Sequence, residues 1–343
     1  MKLAIVAIMK NEDLHIGPWL QGLLGELRPD DSIVLLDTGS TDDTIAVAQY
    51  EFEGLHDNVM LHQASIQPWR FDTARNTALS LADPNADMAW ALDLDEFPQP
   101  GWRQHIEDAY EAGYTRLRYK FVWSQQEDGS DGVVFFADKL HKRHGFRWKG
   151  IAHEWLVTDE GERHKWVPHL TVVHKQDTSI NRADRDMELM ERAIAELPDD
   201  DRLQHYYARQ LHFVGRNVEA SLAFQKHLAN PAATWRHERA ESMLYLARLG
   251  GNDAWDHQWL YRAVAECPER REVWVELAKF EASQGRYEFA MHLLDRAQAL
   301  PHEAYYLSRP EARDAHIDRL RLHYLEQSMK PDATLAATEV SSE

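Results

Sequence analysis

Strand-like runs at Leu3–Met9, Ser32–Leu36, Asn58–Gln63 and Met88–Leu92 alternate with stretches of helical spacing, and this rhythm constrains the fold more than any other feature. A run that stays apolar from end to end suits a strand buried on both faces of a mostly parallel sheet. Between the runs, His15–Leu27 sets Ile16, Leu20, Leu23, Leu24 and Leu27 along one side of a helix. Asp42 or Asp43 can cap a helix from Thr44 to about Tyr50, and Phe71–Ala82 has helical spacing again. Strand and helix in this alternation predict an open α/β sheet flanked by helices. Thr115–Trp123, Gly132–Ala137 and Leu170–His174 read as further strands, with Gly145–His153 as a loop or turn.

Ligands of open α/β sheets bind beyond the carboxyl ends of the strands. Three polar clusters occupy such positions: Lys10-Asn11-Glu12, Asp37-Thr38-Gly39-Ser40 and Asp93-Leu94-Asp95-Glu96. Together they predict a polar ligand at one sheet edge. Carboxylates at a strand end are costly unless cations or hydrogen-bond donors compensate, and oxygen-rich sites suit Mg²⁺ or Mn²⁺ holding substrate phosphates. Asp93 and Asp95 are therefore candidate ligands, against the plainer reading of a capped strand end. No Gly-x-Gly-x-x-Gly or Gly-x-x-x-x-Gly-Lys pattern is present, which argues against a dinucleotide-binding fold and a P-loop NTPase.

The 343 residues suffice for two domains, and the formal charge of −19 disfavours generic binding to nucleic acid or an anionic membrane. A single cysteine, Cys267, permits no intramolecular disulfide. The apolar start reads as a buried first strand rather than a signal peptide, and no run is long enough to span a bilayer, so a cytoplasmic protein is expected. From about Ile180 the pattern is almost purely helical. Tyr207-Ala208, Gly215, Ala220, Phe224 and Pro231 are echoed 70 residues later by Leu277-Ala278, Gly285, Ala290, Leu294 and Pro301, with a weaker copy around Leu246-Ala247, Ala263 and Pro268. A period near 35 with small residues where helices cross resembles tetratricopeptide repeats. The segment from Ser328 to Glu343 is small and polar, and is expected to be disordered.

The order Lys10-Asn11-Glu12, Asp37-Thr38-Gly39-Ser40-Thr41-Asp42, Phe71-Asp72-Thr73-Ala74-Arg75-Asn76 and Leu92-Asp93-Leu94-Asp95-Glu96 resembles the family 2 glycosyltransferases of the GT-A fold. The likeness continues through Trp148-Lys149-Gly150-Ile151-Ala152-His153-Glu154 to His174, with the helical repeats following. It implies a GT-A domain over residues 1–178, a helical-repeat domain over 179–327, and a metal-dependent inverting glycosyltransferase. The cofactors implied are Mn²⁺ or Mg²⁺ and a nucleotide-sugar donor, a UDP-sugar first among them. By this resemblance Asp37 meets the donor base, Lys10 and Asn11 lie by the nucleotide, and Arg75 reaches base or phosphate. Asp93 faces ribose or sugar beside the metal, Asp95 ligates the metal with His174 as a further ligand, and Glu154 is the base.

Plainer readings stand beside these roles. On these, Asp37 caps its turn, Arg75 forms a salt bridge, and Asn76 is a structural neighbour. Glu154 sits in a Gly-containing turn between Trp148 and Trp155, with Glu96, and less so Asp95, as rival bases. His153 would orient an acceptor or phosphate or pack in its loop, and Trp148 and Trp155 are candidate sugar-stacking rings. Lys142, Arg143 and Arg147, in the basic stretch from Lys139, would hold diphosphate or an anionic acceptor, or be solvated. The acceptor stays open between peptide or protein, glycan and a modified DNA base, and the repeats would select it or form a homodimer. The rival functions are a binding module built on an inactive transferase and a sugar nucleotidyltransferase.

Overall fold

The computed structural model describes residues 1–53, 59–175, 183–249, 256–301, 306–307 and 312–329. The chain divides into two compact units, one comprising Met1–Pro198 and a second starting at Asp199. The boundary expected at 178/179 and the tail from residue 330 lie outside the described residues; Ser328 itself closes a helix.

In the first unit the elements run β1 (Leu3–Met9), α1 (Ile16–Leu24), β2 (Ser32–Asp37), α2 (Thr44–Phe52), β3 (Val59–Gln63), α3 (Phe71–Leu81), β4 (Met88–Ala91), β5 (Glu96–Pro98) and α4 (Trp102–Glu111). β6 (Arg116–Val122), β7 (Val134–Lys142), β8 (Phe146–Lys149), β9 (Trp155–Thr158), β10 (His164–His174) and α5 (Ala183–Glu196) follow. The main sheet has the order β3-β2-β1-β4-β7-β6-β10-β5. Its first four strands are mutually parallel, β7 runs antiparallel to β4 and β6, and β10 is parallel to β6 but antiparallel to β5.

Double-sided burial explains the apolar runs. Along β1 the odd residues Leu3, Ile5, Ala7 and Met9 join a core with Trp19, Leu20 and Leu23 of α1, Ile33 and Trp90. The even residues Ala4 and Val6 face Ala78 of α3, Ala82, Val34 and Leu36 on the other side. Each large aliphatic side chain removed from water in this way contributes roughly 1.5–3 kcal/mol. The expected turn at Gly145–His153 contains an unanticipated strand: β8 pairs with β9 as a separate two-stranded sheet.

The second unit is built of paired helices: α6 (Asp201–Phe213) with α7 (Asn217–Ala229), α8 (Arg236–Arg248) with α9 (His257–Glu266), and α10 (Arg271–Ser283) with α11 (Tyr287–Gln298), then α12 (Asp314–Ser328). The residues that echo one another at a 70-residue offset do equivalent work. Ala208, Ala220, Phe224, Ala278, Ala290 and Leu294 are all fully buried. Gly215 and Gly285 take left-handed backbone (φ 80° and 75°) in the turns inside their pairs, a conformation that costs glycine no Cβ clash.

Candidate active site

Strand register assembles the three polar clusters. Met9 of β1 lies opposite Asp37 of β2, and Val6 opposite Ala91 of β4, so Lys10–Glu12, Asp37–Ser40 and Asp93–Glu96 leave the sheet at one edge. The two turns then bind each other. Asn11, in left-handed backbone (φ 58°), accepts from the Thr41 amide at 2.8 Å, while its own amide donates to Ser40 Oγ at 2.9 Å. Asp37 is buried and accepts from the Gly39 and Ser40 amides at 3.1 and 3.2 Å. It therefore caps its turn, as the plainer reading held. Lys10 is exposed at the same edge.

The Asp93-Leu94-Asp95 pair divides into two differently employed carboxylates. Asp93 receives the Arg75 guanidinium as a two-pronged fork, Nη1 to Oδ1 at 2.8 Å and Nη2 to Oδ2 at 2.9 Å, and Lys139 Nζ at 3.0 Å. Burial alone would raise its pKa, but these two cations outweigh burial and hold it well below the usual carboxylate range. Lys139, half-buried, also pairs with Glu96. Burial pushes Glu96 up to about 7 against that cation, with Asp93 and Asp95 adding to the rise.

Arg75 has a second partner: its Nε donates to Glu154 Oε1 at 2.5 Å, and its guanidinium lies 5.1 Å from the centre of the Trp148 ring. Arg75, expected at the donor's base or phosphate, thus ties Asp93 to Glu154, and Asp93, expected at ribose or metal, faces cations. The physical reason is proximity in a buried site: three opposite charges within hydrogen-bond reach satisfy one another before solvent can. Trp148, a candidate sugar-stacking ring, is buried against this guanidinium instead.

Asp95 points elsewhere. Its Oδ2 lies 3.1 Å from His174 Nε2, because β10 and β5 pair antiparallel with His174 opposite Glu96. The other ring nitrogen, Nδ1, meets the Trp123 carbonyl at 3.2 Å, and the imidazole stacks on the Trp123 ring at 4.3 Å and 15°. A carbonyl and a carboxylate both only accept, so Nδ1 donates to the carbonyl and Nε2 to Asp95; loss of the Nε2 proton, with Nδ1 still held by the carbonyl, leaves a lone pair beside the carboxylate. That is the orientation in which a histidine serves as a metal ligand. Burial opposes charge on this ring, but Asp95 prevails and raises its pKa. Oxygen and imidazole nitrogen together fit Mn²⁺ or Mg²⁺, with further ligands left for phosphate and water.

Glu154 is delivered by a clamp between α3 and the β8–β9 hairpin. Asn76 donates to the Trp148 carbonyl and accepts from its amide, both at 2.8 Å. Asp72 accepts from the Gly150 amide at 2.9 Å, and the Phe71 amide donates to the Ile151 carbonyl at 3.0 Å. Gly150 has φ 111°, and a Cβ there would lie 2.8 Å from the Trp155 ring, so the turn requires glycine. Exposed His153 is also left-handed (φ 49°) just before Glu154. Asn76 is thus the structural neighbour expected. Of the basic stretch, Arg143 binds the Ala82 and Asp83 carbonyls and Arg147 pairs with Asp159. Lys139, in the sequence only the start of that stretch, and Trp123 are the site residues sequence reasoning missed. Lys139 carried no separable signal, whereas Trp123 ends a predicted strand beside those carrying the motifs.

No known family model matches the sequence, and no curated protein matches it. Among solved structures the chain is similar to TarS of S. aureus, at 13% identity and TM-score 0.45, covering 79% of this chain and 55% of that one. It also resembles MamA MSR-1 C2 (18% identity, TM-score 0.27, 34% of this chain and 67% of that one). A third likeness is to glucosyl-3-phosphoglycerate synthase from Mycobacterium tuberculosis in complex with Mg²⁺ and uridine diphosphate (18% identity, TM-score 0.29, 35% of this chain and 43% of that one). The chain thus spans about half the length of the TarS structure. Among the described residues, no helix is long and apolar enough to cross a membrane.

Proposed function

We propose that this chain is a metal-dependent inverting glycosyltransferase of the GT-A type, family 2, with a catalytic domain to about residue 178 and tetratricopeptide-like repeats over 179–327. The observation that carries the reading is the Asp95–His174 pair, oriented by the Trp123 carbonyl at the sheet edge where Asp37 also ends its strand. Asp95 and His174 would hold Mn²⁺ or Mg²⁺, which neutralises the donor's diphosphate as it leaves.

Glu154 is the proposed base. It takes the proton of the acceptor's nucleophile as that atom attacks the anomeric carbon and the bond to the diphosphate breaks on the opposite face. Arg75 fixes the Glu154 carboxylate through one oxygen, and Trp148 backs the guanidinium. Glu96 is the weaker candidate because Lys139 covers it. Asp37, at the strand end, would accept from a base imide or N–H, a uracil first. The acceptor would be a peptide or protein, a glycan or, less favoured, a modified DNA base, selected by the repeats, which could also mediate a homodimer.

The test is a thermal-shift panel of nucleotide sugars with Mn²⁺, followed by donor hydrolysis. Stabilisation by one donor, with metal-stimulated hydrolysis lost in Asp95→Asn, supports transfer. Failure of every nucleotide sugar to stabilise the protein would overturn the reading. Formation of an activated sugar from a sugar phosphate and a nucleoside triphosphate would make the protein a nucleotidyltransferase instead.

A further inference from the structure

We propose that the second unit carries a transition-metal site, built from His237, Cys267 and Glu269 and suited to Zn²⁺. One donor atom from each residue lies within 4.8 Å of the other two. The three donors arrive from separate pieces of backbone. His237 is in the first turn of α8, while Cys267 and Glu269 flank Pro268 in the turn from α9 to α10. That turn is fixed by the Cys267 amide on the Ala263 carbonyl at 3.0 Å and the Arg270 amide on the Cys267 carbonyl at 3.1 Å. Arg270 also holds the start of α8, donating from Nη1 to the His237 carbonyl at 2.6 Å. The backbone under all three ligands is therefore set before any ion arrives.

A second observation points to a ligand. His237 Nδ1 is buried and has no hydrogen-bond partner. Such orphaned atoms are rare in folded proteins because the lost water is not replaced. The Cys267 side chain is buried.

The donor set selects the metal. Thiolate, imidazole and carboxylate together suit borderline Zn²⁺ better than Mg²⁺ or Ca²⁺, which prefer oxygen. Zinc bonds of about 2.0–2.3 Å set tetrahedral ligand atoms roughly 3.3–3.8 Å apart, so the group must contract by about 1 Å. Side-chain rotation of Glu269, which is exposed, can supply that. On binding, the thiol proton passes to solvent, the sulfur–metal bond forms, and Arg236, now 3.1 Å from Glu269, yields the carboxylate. A water completes the fourth position.

Cys267 is the one cysteine in 343 residues, which makes the test specific. Full-length protein is titrated with Co²⁺ alone and scanned for the thiolate-to-cobalt charge-transfer band, and with Zn²⁺ while melting is followed. The expected result is a saturable band at one equivalent and a rise in Tm with Zn²⁺. Both should be lost in Cys267→Ser and weakened at least tenfold in His237→Gln and in Glu269→Gln. Asp95→Asn, which alters the first unit, should leave the band unchanged, so failure here is separable from failure of the transferase reading. Absence of the band in the folded wild-type protein, or a Zn²⁺-dependent Tm rise retained in His237→Gln, would overturn the proposal.

Discussion

Replacing Arg75 by methionine should destabilise the first unit by about 3–5 kcal/mol, the usual consequence of removing one partner from a buried ion pair. The magnitude follows from what Arg75 touches. It is 7% exposed and makes three charge-assisted hydrogen bonds, two to Asp93 and one to Glu154. Asp93 keeps Lys139 at 3.0 Å after the substitution, whereas among the described residues no other cation pairs with Glu154, so most of the loss falls on the hairpin carboxylate. That places the value at the lower end, about 3 kcal/mol. Methionine fills similar space against Trp148, so loss of packing should contribute little. For a unit of nearly 200 residues, each kcal/mol moves Tm by roughly 2–4 °C, giving a drop of about 6–12 °C. Urea unfolding followed by far-UV circular dichroism measures the free energy, and Glu154→Gln in the Arg75→Met background supplies the control. Neutralising the orphaned carboxylate should recover 1 kcal/mol or more of the loss. A loss below about 1 kcal/mol for Arg75→Met, or no recovery in the double variant, would refute the claim that this guanidinium holds the site together.

His174→Gln should abolish metal-stimulated donor hydrolysis, measured by product release with and without Mn²⁺, while changing the metal-free unfolding free energy by no more than about 1 kcal/mol in urea titration. Gly150→Ala combines a left-handed backbone with a Cβ 2.8 Å from the Trp155 ring; a loss of about 1–3 kcal/mol and a fall in kcat larger than any change in KM are expected. Asn76→Ala removes two 2.8 Å hydrogen bonds to the Trp148 backbone and should cost about 2 kcal/mol by denaturant titration. His141 is fully buried and burial lowers its pKa to about 4 from an ordinary 6.5. A depressed histidine contributes its full stability above pH 6.5, and loses it at about 1.4 kcal/mol per pH unit as pH falls toward 4. His141→Phe should flatten the stability profile across that window; an unchanged slope would mean that His141 is not the group responsible.

Legibility in the sequence followed the physics of burial. β1, β2 and β4 were readable because both faces are covered, which leaves an uninterrupted apolar run. α4 was not, because Arg103 sits on its buried face and breaks the apolar period; that guanidinium is matched by Asp31 at 2.5 Å and Glu107 at 2.8 Å. β8 escaped because Phe146–Lys149 is four residues long and bounded by Gly145 and Gly150, so its turn signals outweighed its alternation. The paired repeat helices announced themselves through small residues at fixed offsets, since close helix approach admits few alternatives. At the sheet edge the sequence named the carboxylates but not their partners. Arg75 and Asp93 are 18 residues apart, Asp93 and Lys139 46, Asp95 and His174 79, and only the fold decides which cation reaches which acid. The consequence is a division within one short motif. Arg75 and Lys139 neutralise Asp93 and hold it in place, and this leaves Asp95, the carboxylate facing an oriented histidine, as the one chemically disposed to meet a metal ion.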